Sequence, residues 1–292
     1  MISCIICSVN KGLFRQLSIN IAETIGTPFE IIEIDNSDGK FGICEAYNKG
    51  AESAKYDMLC FIHEDILFET NNWGTVLAGH FASLANAGII GIAGSTYKSL
   101  TASGWWASED KYLCYHYKQS YKYISNESVL RSLNGNSVKK VICLDGVFLA
   151  VKKVVYEKFR FDDSLRYFHG YDLDLSLAVS REFQNYFIPD IMIHHLSEGS
   201  LNDVWLKNMF LLFKKWKNYL PVNVFDQKMK ITETYIWQNY ARLVLTSTLS
   251  FGEKFKILWN ILYVTSWRFK SLIPLYGLLR SIVFVTMKKR KK

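Results

Sequence analysis

Apolar and polar positions in the first hundred residues follow two different periods. The runs ISCIICSV, FEIIEI, DMLCFI and GIIGIAG are short and rich in apolar residues, the pattern of strands buried in a sheet. Between the first two, LFRQLSINIAETIG carries Leu13, Leu17, Ile21 and Ile25 four apart and stops at Gly26, as an amphipathic helix does. GICEAYNKGAESA and WGTVLAGHFASLAN read as two further helices. Strands alternating with helices predict an α/β fold with a mostly parallel, Rossmann-like sheet flanked by helices. Such a sheet binds ligands beyond the carboxyl ends of its strands.

Polar residues gather where those ends should lie. Ser8 and Asn10 follow the first strand, Asp35 and Asn36 the second, and His63-Glu64-Asp65 the third. Turn and cap chemistry accounts for any one of them; their joint occurrence marks a shared rim. No G-x-G-x-x-G follows the first strand, and the glycines of GIIGIAG, three apart, fit close packing better than phosphate binding. Further on, VICLDGVFLAV breaks at Asp145-Gly146, and HGYDLDLSLAVS predicts a helix starting near Asp172. Capping explains one of Asp172 and Asp174, but not both beside His169 and Gly170. YFIPDIMIHH ends a strand in His194-His195, whose alternation allows at most one imidazole into a given site.

Charge divides the chain. Residues 1–204 hold 18 Lys+Arg against 24 Asp+Glu, a net −6, and residues 205–292 hold 17 against 3, a net +14. The basic third calls for a polyanionic surface. A nucleic-acid partner would leave the acidic rim without a role and is not expected. From Glu253 to Met287 the chain is apolar and aromatic, with Phe255, Leu258, Trp259, Leu262 and Phe269 on one helical face and KKRKK beyond. No run there is long enough to span a bilayer. The pattern predicts a helical extension lying in the interface of an anionic membrane; packing on the rest of the protein, or on a second copy, is the alternative. With 49% apolar residues in 292, one large domain with an appendage is expected. The boundary falls at 1–220 and 221–292. Cys4 and Cys7, three apart in a strand, face opposite ways and cannot share a metal. The scattered cysteines and the lack of a basic leader predict a cytoplasmic protein, peripheral on the inner face of the membrane. TASGWWASEDKYLCYHYKQSYKY, 101–123, reads as a loop offering Trp105 and Trp106 to sugar rings or to the core.

The order SVN, DNS, AYNKGAESAKYDMLCFIHEDI, LDGVFLAVKK, FHGYDLDLSLA, HHLSEGS resembles a family 2-type glycosyltransferase of the GT-A fold, of the bacterial cell-surface polysaccharide branch, over residues 1 to about 216. The resemblance implies an inverting transfer from a nucleotide-sugar donor, a UDP-sugar foremost, to a saccharide or lipid-linked acceptor. The D-x-D element falls on His63-Glu64-Asp65, which makes Asp65 the metal carboxylate and puts a histidine in place of the first aspartate. The acidic pair that carries the general base falls on Tyr171-Asp172, giving Asp172 that role. His195 is the implied second metal ligand, for Mn2+ or Mg2+, and Asp35 the implied reader of the nucleobase. Ser8, Asn10, Asn48, Glu64 and Asp145 are the remaining implied donor contacts; His169 and Tyr171, with Trp105 and Trp106 of the aromatic loop, are expected to face the acceptor. The departures at His63 and Tyr171 leave an inactive scaffold as the alternative. The chemistry suits these residue types: a divalent cation offsets charge on the departing diphosphate, an imidazole ligand tilts the choice toward Mn2+, and a carboxylate takes the acceptor's proton.

Overall fold

The computed structural model describes residues 1–121, 128–165, 168–199, 201–225, 230–269 and 275–282. Strand β1 (Ile2–Ser8) is buried throughout. Its alternation sends Ile2, Cys4 and Ile6 into one core and Ile5 and Cys7 into the other, so the two cysteines lie on opposite faces of the sheet. All six cysteines are free and buried. Helix α1 (Lys11–Thr24) is capped by the Asn10 side chain, which accepts from the N–H groups of Gly12 and Leu13, and it buries Leu17 and Ile21. The alternation continues through β2 (Phe29–Asp35), α2 (Ile43–Ser53), β3 (Met58–Ile62), β4 (Ile66–Phe68), α3 (Trp73–Ser83) and β5 (Ala87–Gly91).

Short strands then dominate: β6 (Ala93–Ser95), β7 (Tyr97–Lys98), β8 (Leu113–Ser120), β9 (Ser128–Leu133), β10 (Lys139–Val141), β11 (Cys143–Leu144) and β12 (Phe148–Lys152). After them come α4 (Lys153–Phe159), α5 (Tyr171–Val179), β13 (Gln184–Phe187), β14 (Ile193–His195), α6 (Asp203–Trp216), β15 (Val222–Asn223), α7 (Lys230–Thr246) and α8 (Phe251–Phe269). The main sheet runs β10-β13-β5-β12-β3-β1-β2. It is mostly parallel, but β12 returns antiparallel between β3 and β5, and β10 is antiparallel at the edge. A second sheet, β11-β6-β8-β14-β4 with β9 beside β8, covers the carboxyl-terminal end of the first. A Cβ at Gly94 would lie 2.2 Å from the Cys143 carbonyl, so this glycine lets β6 and β11 approach, in line with the packing reading of GIIGIAG.

The stretch 101–123 is not a free loop. Residues 101–105 are buried and β8 occupies 113–120; residues 122 and 123 lie outside the described residues. The apolar face read from 253 onward also divides. Leu258 and Leu262 point inward with Ile257 and Ile261, sharing a core with Trp237, Tyr240 and Val244 of α7 and with Leu206, Met209 and Phe213 of α6. Phe255 (57% exposed) and Trp259 (56%) point outward with Phe251, Tyr263 and Trp267. Together these inward and outward positions cover a wider arc than one packing contact uses, so the helix is apolar on two faces. The buried Glu233 of α7 accepts from the Tyr97 hydroxyl and the Leu100 N–H, tying the extension to the sheet layer. The Phe269 side chain and KKRKK lie outside the described residues. No described helix is long and apolar enough to cross a membrane.

Candidate active site

Strand pairing assembles the first half of the site. β4 and β14 are antiparallel with Ile66 opposite His195, and the Leu196 N–H donates to the Asp65 carbonyl at 2.8 Å. Asp65 therefore meets His195, with Nε2 3.4 Å from Oδ2, and His63 Nδ1 stands 3.9 Å from Oδ1. One ligand atom from each of His63, Asp65 and His195 lies within 4.8 Å of the others. Two imidazole nitrogens and one carboxylate oxygen, half-buried, are a donor set that fits a first-row divalent cation. Burial alone would raise the Asp65 carboxyl, but the hydrogen bond and charge of His195, the charge of His63 and the Ser197 hydroxyl hold it well below the usual carboxylate range. Burial, the larger influence, and His195 lower the basicity of His63 against the opposing pull of Asp65. His194 faces away, with Nε2 2.7 Å from the Ser120 hydroxyl.

The second half comes from α5. Gly170, at φ +83°, turns the chain into the helix at Tyr171. Asp172 accepts from the Gly146 N–H at 3.1 Å. Burial, then the charge of Asp145, pushes its carboxyl from the ordinary 3.8 up to about 7, against the pull of the Leu173 and Gly146 N–H groups. Asp174 does something else: it is buried, takes the Trp216 indole N–H at 2.7 Å and pairs with Lys215 at 2.9 Å, which locks α6 onto α5. Asp145 accepts the Trp105 indole N–H at 2.6 Å and the Val147 N–H at 2.8 Å.

The other expected residues divide between rim and scaffold. Asp35 is exposed at the end of β2, pairs with Lys11 at 2.7 Å and, with the help of that partner and of Ser37, titrates down near 2. Ser8 is buried with its hydroxyl unpartnered. His169 is half-buried, and burial lowers its basicity. Trp106 is 41% exposed and stacks on Trp205 with ring centres 6.2 Å apart, while Trp105 is buried on Asp145. Glu64 is spent on the backbone, accepting from the N–H groups of Val9 and Asn10 at 2.9 Å, and the Asn10 side chain caps α1. Two expectations are corrected. Asn48 is buried in α2, where its amide donates to the Phe161 carbonyl and Asp163 and accepts from the Tyr156 hydroxyl, so no polar group is left for a donor. Tyr171 is buried between Tyr47 and Phe161, its hydroxyl 2.7 Å from His63 Nε2, and cannot face an acceptor.

The model described as "Glycosyltransferase like family" matches residues 3–219 of the 292. The chain belongs to this family. Among solved structures it is similar to that of GalNAc-T7 with UDP, GalNAc and Mn2+, at 12% identity and a TM-score of 0.50 over 82% of this chain and 54% of that one. It is also similar to that of S. aureus TarS 1-349 in complex with UDP-GlcNAc, at 12% identity and a TM-score of 0.44 over 96% and 79%. The chain thus spans about half the length of the GalNAc-T7 chain. No curated protein matches the sequence. The fold is that of the GT-A glycosyltransferases, with helices added at the carboxyl terminus.

As a glycosyltransferase of this family, the protein places its strand-end residues where the sequence expects a rim, but several partners escape sequence reading. Ser197 donates to Asp65, Gln119 holds His195, and Tyr171 holds His63. These pairs are separated by 132, 76 and 108 residues, respectively. Only the YDLDL sequence, with its tyrosine where an acid is usual, hinted at the last.

Proposed function

We propose that the enzyme transfers a sugar, with inversion, from a UDP-sugar to a saccharide or lipid-linked acceptor in the synthesis of a cell-surface polysaccharide. The observation that carries this reading is the division of labour between two acidic centres. Asp65, held ionised beside two imidazoles, suits a cation site; Asp172, pushed up to about 7, suits a proton acceptor. A bound Mn2+ or Mg2+ would supply Lewis acidity toward the diphosphate, and His63, Asp65 and His195 are the residues that would hold it. The presence of UDP and Mn2+ in the GalNAc-T7 structure supports the same choice. Asp172 takes the acceptor's proton through its second carboxylate oxygen, while the Gly146 N–H fixes the first. Trp106 and His169 offer the acceptor an apolar wall and a hydrogen bond, and Asp35 offers the nucleobase a carboxylate. Site residues and scaffold alike are cytoplasmic in this reading, with the outward aromatics of α8 resting on an anionic bilayer that brings a lipid-linked acceptor within reach.

The test is NMR of UDP-sugars incubated with the protein and Mn2+ or EDTA. The expected result is Mn2+-dependent release of UDP from one donor, raised by an acceptor, with the anomeric configuration of the product inverted. Retained configuration, or turnover unaffected by EDTA, would refute the mechanism.

A further inference from the structure

The side chains behind the two histidines fix which nitrogen each one turns toward Asp65. The Tyr171 hydroxyl has a single proton. It lies 3.2 Å from the Gly146 carbonyl, which can only accept, and 2.7 Å from His63 Nε2. With the hydroxyl proton directed at the carbonyl, the oxygen accepts from Nε2–H, and Nδ1, the atom facing Asp65, is the nitrogen His63 would open to a cation. The same logic holds across the site. The Gln119 amide nitrogen donates to the Ser197 carbonyl at 2.8 Å and to the His195 carbonyl at 3.3 Å, so its oxygen is the atom 3.1 Å from His195 Nδ1. That nitrogen keeps a proton, so Nε2, the atom that bonds Asp65, is the one that would give up its proton to a cation.

Tyr171 is also fixed in place. A Cβ at Gly146 would lie 2.1 Å from the tyrosine hydroxyl, so this glycine makes the room for the ring. Tyr47 and Phe161 meet its ring in edge-on contacts at 5.8 and 5.7 Å between ring centres. From this geometry we infer that Tyr171 is a positioning residue: it recruits His63 as a nitrogen ligand, so that the cation is held by two imidazoles and one carboxylate rather than by carboxylates alone. A hard cation such as Mg2+ gains little from a second imidazole, whereas Mn2+ gains more.

This inference rests on the metal-dependent reading above, and the measurement separates the two. The full chain is titrated with Mn2+ alone, and again with UDP present, following the EPR signal of free Mn2+; directly bonded nitrogens are counted by electron spin-echo modulation of the bound ion. Two coordinated nitrogens are expected in the wild type and one in His63→Ala. Tyr171→Phe, which keeps the ring and removes only the hydroxyl, is expected to weaken Mn2+ binding by about tenfold or more and to diminish the second nitrogen's modulation. His63→Asp is expected to narrow the preference for Mn2+ over Mg2+ by a similar factor. One nitrogen in the wild type, or an unchanged Mn2+/Mg2+ ratio in His63→Asp, overturns the inference while leaving a metal enzyme. Unchanged affinity in a folded Tyr171→Phe removes Tyr171 from it. No Mn2+ binding to the wild type, with or without UDP, overturns both this inference and the metal-dependent reading.

Discussion

Replacing Asp172 by asparagine should make the protein's stability respond differently to pH. An acid with a higher pKa in the folded state than in the unfolded one binds more protons when folded, so the native state loses stability as pH rises between the two values. For Asp172 these are the ordinary 3.8 and about 7. At about 1.4 kcal/mol per tenfold change, the fully expressed effect is roughly 4 kcal/mol, of which about 2.5 kcal/mol falls between about pH 5 and pH 8. Asparagine keeps the acceptor for the Gly146 N–H but cannot ionise, so it removes that loss. Urea denaturation of both forms, without metal and in EDTA, should show the mutant gaining on the wild type by roughly 2–3 kcal/mol across that window. As the proposed base, the same carboxyl would set the activity profile: below about pH 7 the wild-type kcat/KM should fall about tenfold per pH unit, while above it the mutant should be roughly 100- to 10,000-fold slower, a gap that narrows as pH falls. Parallel stability curves for the two proteins would show that Asp172 is not perturbed. Near wild-type transfer by the mutant would move the base elsewhere.

His195→Ala should weaken Mn2+ binding in calorimetry at least tenfold more than His194→Ala, because His194 is turned toward the Ser120 hydroxyl and away from Asp65. Asn48→Ala should cost about 2–4 kcal/mol in urea melts by stripping partners from Tyr156, Phe161 and Asp163, while UDP affinity of the folded protein stays within twofold, about 0.4 kcal/mol. Removing Trp259 and Trp267 together should reduce co-sedimentation with anionic vesicles at least about fivefold, an effect of about 1 kcal/mol, whereas the inward Leu262→Ala should instead lower the melting temperature.

How legible these features were depends on the range of the interactions that set them. β1 and α1 follow from period alone, because Ile2, Cys4 and Ile6 repeat every second residue and Leu17, Ile21 and Ile25 every fourth. His63, Glu64 and Asp65 could be read as a strand end for the same local reason. What Glu64 does could not: its partners, the N–H groups of Val9 and Asn10, come from a neighbouring strand that ends at the same height. Asn48 misled because the resemblance alone implied its role, and only the return of residues 156–163 buries it. The reversal of β12 was hidden as well, since an apolar strand of five residues looks the same in either direction. On α8, composition showed an apolar helix, but only α7 decides which arc is covered.

The family match ends at residue 219, but the interior does not end there. Leu173 and Leu177, on the helix that carries Asp172, belong to one continuous core with Trp205 and Phe213 and, further along, with Trp237, Val244 and Ile261. What is shared by descent and what folds together are therefore different lengths of chain. A graft cut at the family's limit would carry Asp172 on a helix stripped of its backing, and a chimera that exchanges tails would at the same time disturb that helix. Leu278 still packs on that core and the Ser281 hydroxyl donates to the Gln238 carbonyl of α7, so a transplant of this enzyme has no natural seam before them.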